Sequence, residues 1–141
     1  MQNRLTAFIF LAGIAQIGLV TGSLAIPAIL KWRLELTKVS PLIRQMFWTY
    51  AAYILVINLC FGLVSVCCPG QLTNGTTLAL LCDAFIAVYW VSRILVQFFY
   101  FDRASFPKGA WFSAGEAALV VLFVFLSLVY SCAGYFNFQK V

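Results

Sequence analysis

The sequence predicts an all-α polytopic membrane protein, a four-transmembrane-helix bundle of up-down topology forming a single domain over residues 1–141, and three observations carry that expectation. Of the 141 residues, 64% are hydrophobic and 9% charged, against roughly 45–50% and 25% in soluble domains, so polar side chains are too few to coat a globule in water. Four stretches are long enough to cross some 30 Å of hydrocarbon, which takes about 20 mostly apolar residues. Turn-forming residues separate them, and the long runs lack the roughly ten-residue alternating segments of a membrane barrel.

The first helix, residues 5–30, carries no charge from Leu5 to Leu30. Its length exceeds the roughly 7–15-residue core of a cleaved signal peptide, and basic residues come directly after it, so it reads as a retained helix. Gly18 and Gly22, on the face opposite Gln16, have the GxxxG spacing that allows close helix approach, inside the bundle or at a homodimer seam. Lys31 and Glu35 at i,i+4, with Trp32 suited to the interface, extend this helix as a short amphipathic segment. Ser40-Pro41 supplies a capping hydroxyl and a first-turn proline for the second helix, whose uncharged part is residues 46–68. Pro69-Gly70 and Asn74-Gly75-Thr76 turn the chain into the third helix, residues 77–101. Pro107-Lys108-Gly109 turns it into the fourth, residues 110–136.

Lys and Arg counts near the helix ends predict orientation, because basic loops stay in the cytoplasm. One side collects Lys31, Arg33, Lys38, Arg44, Arg103 and Lys108, and the other has Arg4 and Lys140. Loops 31–45 and 102–109 are therefore expected in the cytoplasm, with loop 69–76 and both termini outside. The six clustered cations are read as contacts to lipid headgroups; short basic loops beside hydrocarbon are a poor nucleic-acid surface.

Ionisable residues within spans are the informative ones, since a charge near the bilayer centre costs about 2.5–3.5 kcal/mol or more unless paired or hydrated. At 100° per residue Asp83, Ile86, Trp90, Arg93, Gln97 and Tyr100 share an arc of roughly 100° on the third helix, and Glu116, Phe123, Ser127 and Tyr130 share a narrower stripe on the fourth. Arg93 and Glu116 lie at comparable depth from the intervening turn, which predicts an ion pair with Trp90 or Tyr100 packed on the guanidinium. Such a pair is either a structural clasp or, with Trp90, Gln97 and Tyr100, a site for an anionic ligand. Asp83, Asn58 and Gln16 are expected as further buried polar groups that hydrogen-bond across the bundle.

With no histidine in the chain, a His-ligated haem, a His zinc site and a Ser-His-Asp triad are excluded, and no carboxylate or cysteine cluster has metal-ligand spacing. No cofactor is implied. Cys60, Cys67, Cys68, Cys82 and Cys132 all fall toward the predicted outer side; Cys67 or Cys68 is the candidate for a disulfide, and ordinary buried thiols are the alternative. The runs Ile26–Leu36 and Ser40–Tyr50, with Phe85–Trp90, Arg93 and Gln97–Arg103, resemble a family of small bacterial four-helix inner-membrane proteins. That resemblance implies a bacterial inner membrane and carries over no activity. The leading functional expectation is a non-catalytic structural or accessory membrane component, in contact with lipid and with a second copy or another membrane protein. Binding or transport of a lipid-like or small anionic ligand at Arg93 and Glu116 is the alternative, and an enzyme comes last.

Overall fold

Two hydroxyl side chains open the central helices. The Ser40 Oγ accepts from the Ile43 N–H at 3.5 Å and Pro41 fills the first turn behind it, so the second span begins five residues ahead of its uncharged stretch. Thr76 Oγ1 accepts from the Ala79 N–H at 3.2 Å at the start of the third. Both supply acceptors for N–H groups that a helix start leaves without partners.

The structure, a computed structural model, describes residues 2–101 and 109–141. Among the described residues there is no strand. The helices are α1 (Gln2–Ser23), α2 (Ile26–Ile29), α3 (Trp32–Glu35), α4 (Pro41–Cys67), α5 (Thr77–Phe99) and α6 (Ala110–Phe138), with 3-10 turns at Leu36–Lys38 and Gln71–Thr73. Four apolar stretches, Gln2–Ile29, Pro41–Cys67, Thr77–Phe99 and Ala110–Phe138, are long enough to cross a membrane. The chain is thus an all-α, multi-pass membrane protein. Arg103, Lys108 and most of the loop 102–109 lie outside the described residues.

The first span does not continue as one amphipathic helix. Pro27 has no N–H to offer the Ser23 carbonyl and its ring crowds that turn, so α1 stops at Ser23 and α2 restarts with proline in its first turn. Lys31 then takes a left-handed conformation, φ 50°, which ends the helix again. The expected Lys31–Glu35 spacing is consequently not used, and Glu35 instead pairs with Lys38 at 2.6 Å.

Packing order differs from chain order. α4 packs on α1, α1 on α6, and α6 on α5, so the first and last spans are neighbours. α4 reaches α5 through Phe61, whose ring meets Phe85 and Tyr89 at 5.8 and 5.3 Å between centroids. Ile9, Ala12, Gly13, Gln16 and Val20 form the buried face of α1, a stripe at i, i+3, i+4, i+7 and i+11. The close crossing is made there: a Cβ on Gly13 would lie 2.9 Å from the Gly62 carbonyl oxygen, and one on Gly62 would lie 2.9 Å from Ile17. Gly18 and Gly22 have open space around them, so the internal packing expected of that GxxxG pair is made by Gly13 and Gly62 instead.

Burial is uneven along the bundle. From the Gln71–Thr73 turn to the middle of the bundle lie Ile9, Ala12, Leu126, Tyr130 and Ala133, all fully buried. At the opposite end every residue from Pro41 to Tyr50 is exposed, and α6 has no buried residue before Phe123. One end of the bundle is closed and the other is splayed.

Candidate functional site

At the closed end, Asn137 on the last turn of α6 fastens three segments. Its amide nitrogen donates to the Leu72 carbonyl and to Asp83 Oδ2, both at 2.8 Å, and its oxygen accepts from the Gly75 N–H at 2.9 Å. Gly75 holds φ +75°, and a Cβ there would strike the Lys140 side chain at 2.9 Å. Thr73 is fully buried beside this knot; its hydroxyl shares a hydrogen bond with that of Thr6, and its carbonyl accepts from Gln2 Nε2, each at 3.0 Å. Asp83 is thus an interior residue tied to α6, and its second oxygen has no hydrogen-bond partner.

A second tie lies half-way along. Gln16 Nε2 donates to the Tyr130 hydroxyl at 2.6 Å, and that hydroxyl shares a 2.5 Å hydrogen bond with Ser65 Oγ. Gln16 therefore bonds across the bundle as its sequence position suggested, joining α1, α4 and α6. Asn58 is also buried, facing the Tyr89 hydroxyl of α5, but the two fall short of hydrogen-bond geometry.

The residues expected to bind a ligand come together only in part. Trp90 is fully buried, its ring 5.3 Å from that of Phe123 and 5.2 Å from that of Tyr89. Arg93, one turn on, places its guanidinium carbon 5.8 Å from the Phe123 ring centre, within the range of a cation–π contact. No Arg93–Glu116 ion pair forms: among the described residues the one ion pair within 4.0 Å is Lys38–Glu35. Glu116 instead accepts from Gln97 Nε2 at 3.2 Å. The carboxylate is level with Gln97, one helical turn or about 5.4 Å beyond Arg93. Tyr100 caps the end of α5 and is 82% exposed, away from this group; Phe123 takes the place under the guanidinium that Trp90 or Tyr100 was expected to fill.

Several buried hydrogen-bonding atoms on α4, α5 and α6 in this part of the bundle have no partner: Arg93 Nε, Trp90 Nε1, the Tyr89 hydroxyl, Ser127 Oγ and Asn58 Oδ1. Four of these five groups can donate. An unpartnered polar group in hydrocarbon costs several kcal/mol, so this cluster differs in kind from the tied networks above it.

No family model, curated protein or solved structure matches the chain. The family resemblance accordingly extends to the four long apolar helices and no further. Among the described residues no group of His, Cys, Asp and Glu has the arrangement to hold a metal ion. The five cysteines are free thiols, with Cys67 and Cys68 both exposed and unpaired, so the structure contains no disulfide at that pair.

Asn137, Thr73, Gly13 and Tyr89 were not singled out from the sequence. Asn137 had a legible signal, since it stands seven residues after Tyr130 and prolongs the polar stripe of the fourth helix by two turns. The expected helix end at residue 136 hid it. Gly13 lies three residues before Gln16, on the same face.

Proposed function

We propose that this chain is a non-catalytic accessory component of its membrane whose work is binding, and that it receives the anionic head of a lipid-like molecule at Arg93. One observation carries the reading: an arginine inside the third span, under two turns from its end, rests on an aromatic ring with a buried Nε lacking an acceptor and with no carboxylate within 4.0 Å among the described residues. Trp90, Tyr89 and Ser127 add donors beside it, and Gln97 and Glu116 border the site toward the splayed end. A carboxylate or phosphate would accept from Arg93, while its hydrocarbon chain would lie along the exposed apolar faces of the helices. Charge-assisted hydrogen bonds of this kind are the strong ones.

Equilibrium binding of oleate, compared with oleyl alcohol, tests this in lipid nanodiscs. Arg93→Gln is expected to abolish the preference for the acid without lowering the melting temperature, and Arg93→Lys to retain much of it. Equal binding of acid and alcohol by the unaltered protein would overturn the reading. The purely structural reading is favoured by the Asn137 and Tyr130 networks, and it expects Arg93→Gln to lower the melting temperature while leaving oleate binding unchanged.

The same proposal orients the chain by its basic loops, with the splayed end and loop 31–45 in the cytoplasm and loop 69–76 outside. A bacterial inner membrane is the location implied by the family resemblance. In a variant whose five native cysteines are replaced by serine, labelling with a membrane-impermeant maleimide is expected to reach a cysteine placed at Asn74 from the outside and not one placed at Thr37.

A further inference from the structure

Where the first span ends, the chain makes two breaks in quick succession, at Pro27 and at Lys31. The second holds an L-residue in the left-handed region, a conformation retained only where its surroundings impose it. Directly after it comes α3, whose Trp32 packs edge-on against Phe47 at 4.8 Å and Trp48 at 5.9 Å near the start of α4. This fold-back lines an open groove of about 440 Å³ beside α2, α3 and the start of α4. Its walls include Leu24, Pro27, Leu34 and the Trp48 ring, and Lys31 and Arg33 stand on it. The volume lies in the range of small-molecule sites, roughly 300–1,000 Å³.

We propose that this groove binds the headgroup of an anionic phospholipid, with Lys31 and Arg33 holding the phosphate and the apolar walls receiving the glycerol backbone and the first carbons of a chain. The site is separate from Arg93 and does not depend on what binds there. Charge supports it: Glu35 is the one acidic residue between Leu24 and Tyr50, and it is engaged by Lys38 at 2.6 Å. Neither Lys31 nor Arg33 has a carboxylate within 4.0 Å among the described residues. Position supports it too, because the groove lies where an apolar span passes into a basic segment flanked by tryptophan, the signature of the headgroup layer. Arg and Lys both bind phosphate, the former through a planar fork and the latter as a point charge. Walls this apolar at the edge of hydrocarbon do not suit a nucleic acid.

The experiment is native mass spectrometry of the full chain released from nanodiscs of phosphatidylcholine doped with phosphatidylglycerol. The unaltered protein is expected to retain phosphatidylglycerol in preference to phosphatidylcholine. The double variant Lys31→Gln/Arg33→Gln should lose that preference at least about tenfold. Arg4→Gln/Arg44→Gln, which removes the same charge from the chain but not from the groove and leaves Glu35 with Lys38, should keep it. Leu34→Gln, at an exposed wall position, leaves both cations in place without adding charge and should also lose it, because the wall no longer receives the glycerol backbone and chain. Equal losses from the two charge pairs would show diffuse attraction and overturn the proposal. So would displacement of the lipid by millimolar inorganic phosphate, which would show that the cations take a free anion without help from the walls.

Discussion

The two ends of this bundle are built from the same apolar residue types and the same helices, yet they are held together differently. From the end near Gln71–Thr73 to the middle of the bundle, Asn137, Thr73, Tyr130 and Gln16 form hydrogen bonds between segments far apart in sequence. At the other end, ten successive residues of α4 are exposed on every face, and the Gln97–Glu116 hydrogen bond is the one polar link between described parts of α5 and α6 there. Lipid tails are as apolar as leucine, so hydrophobicity does not draw helices together inside a bilayer. Helices converge where polar groups and small residues hold them, and spread where those are missing.

The sharpest way to break this comparison is Asn137→Ala. Each buried group left without its partner costs about 1–3 kcal/mol, and this change abandons the Leu72 carbonyl, Asp83 and the Gly75 N–H together. The unfolding free energy, measured by thermal or denaturant unfolding in lipid–detergent micelles, is expected to fall by on the order of 3 kcal/mol or more. Gln97→Ala in the splayed half should cost well under half as much, and equal costs would dissolve the distinction between the ends.

Gly13→Val comes next, because the added atoms would meet the Gly62 carbonyl and Val66 at under 3 Å. Overpacking of this kind costs about 1–3 kcal/mol. The same measurement should find Gly18→Ala and Gly22→Ala near neutral, as both point into open space. Tyr130→Phe removes one hydroxyl from the Gln16–Ser65 link and should cost about 0.6–1.7 kcal/mol, between the average and the maximum for hydrogen bonds inside membranes. The smallest effects belong to the splayed end, where Leu42→Ala and Tyr50→Ala should stay within about 0.5 kcal/mol. A larger loss at Leu42 would mean that a second molecule covers α4.

The four spans were legible because run length alone separates a membrane helix from its connections, and Ser40-Pro41 marked where the second one starts. The inward polar face of the third helix was equally legible from Asp83 to Gln97, all on one arc. It failed at Tyr100, since helical periodicity has no meaning beyond the last helical turn and α5 ends at Phe99. The Arg93–Glu116 pair failed by a single turn, because depth counted from the connecting residues is no better than the position assumed for the turn. Which glycines cross was hidden for a different reason. A small residue permits approach at any face, and the partner surface decides whether the permission is used, as it is at Gly13 and is not at Gly18.

The adjacency of α1 and α6 also sets an order of assembly. Spans enter the bilayer in the order of synthesis, so α1 and α4 can pair through Gly13 and Gly62 while the last span is still being made. Until α6 arrives, Gln16 and Ser65 face hydrocarbon without Tyr130, and Asp83 waits for Asn137. The helix that emerges last of the four is the bolt that shuts the closed end. A ribosome pausing within it would leave a half-built intermediate with several unmet polar groups in the lipid, a form that quality-control proteases of the membrane are suited to find.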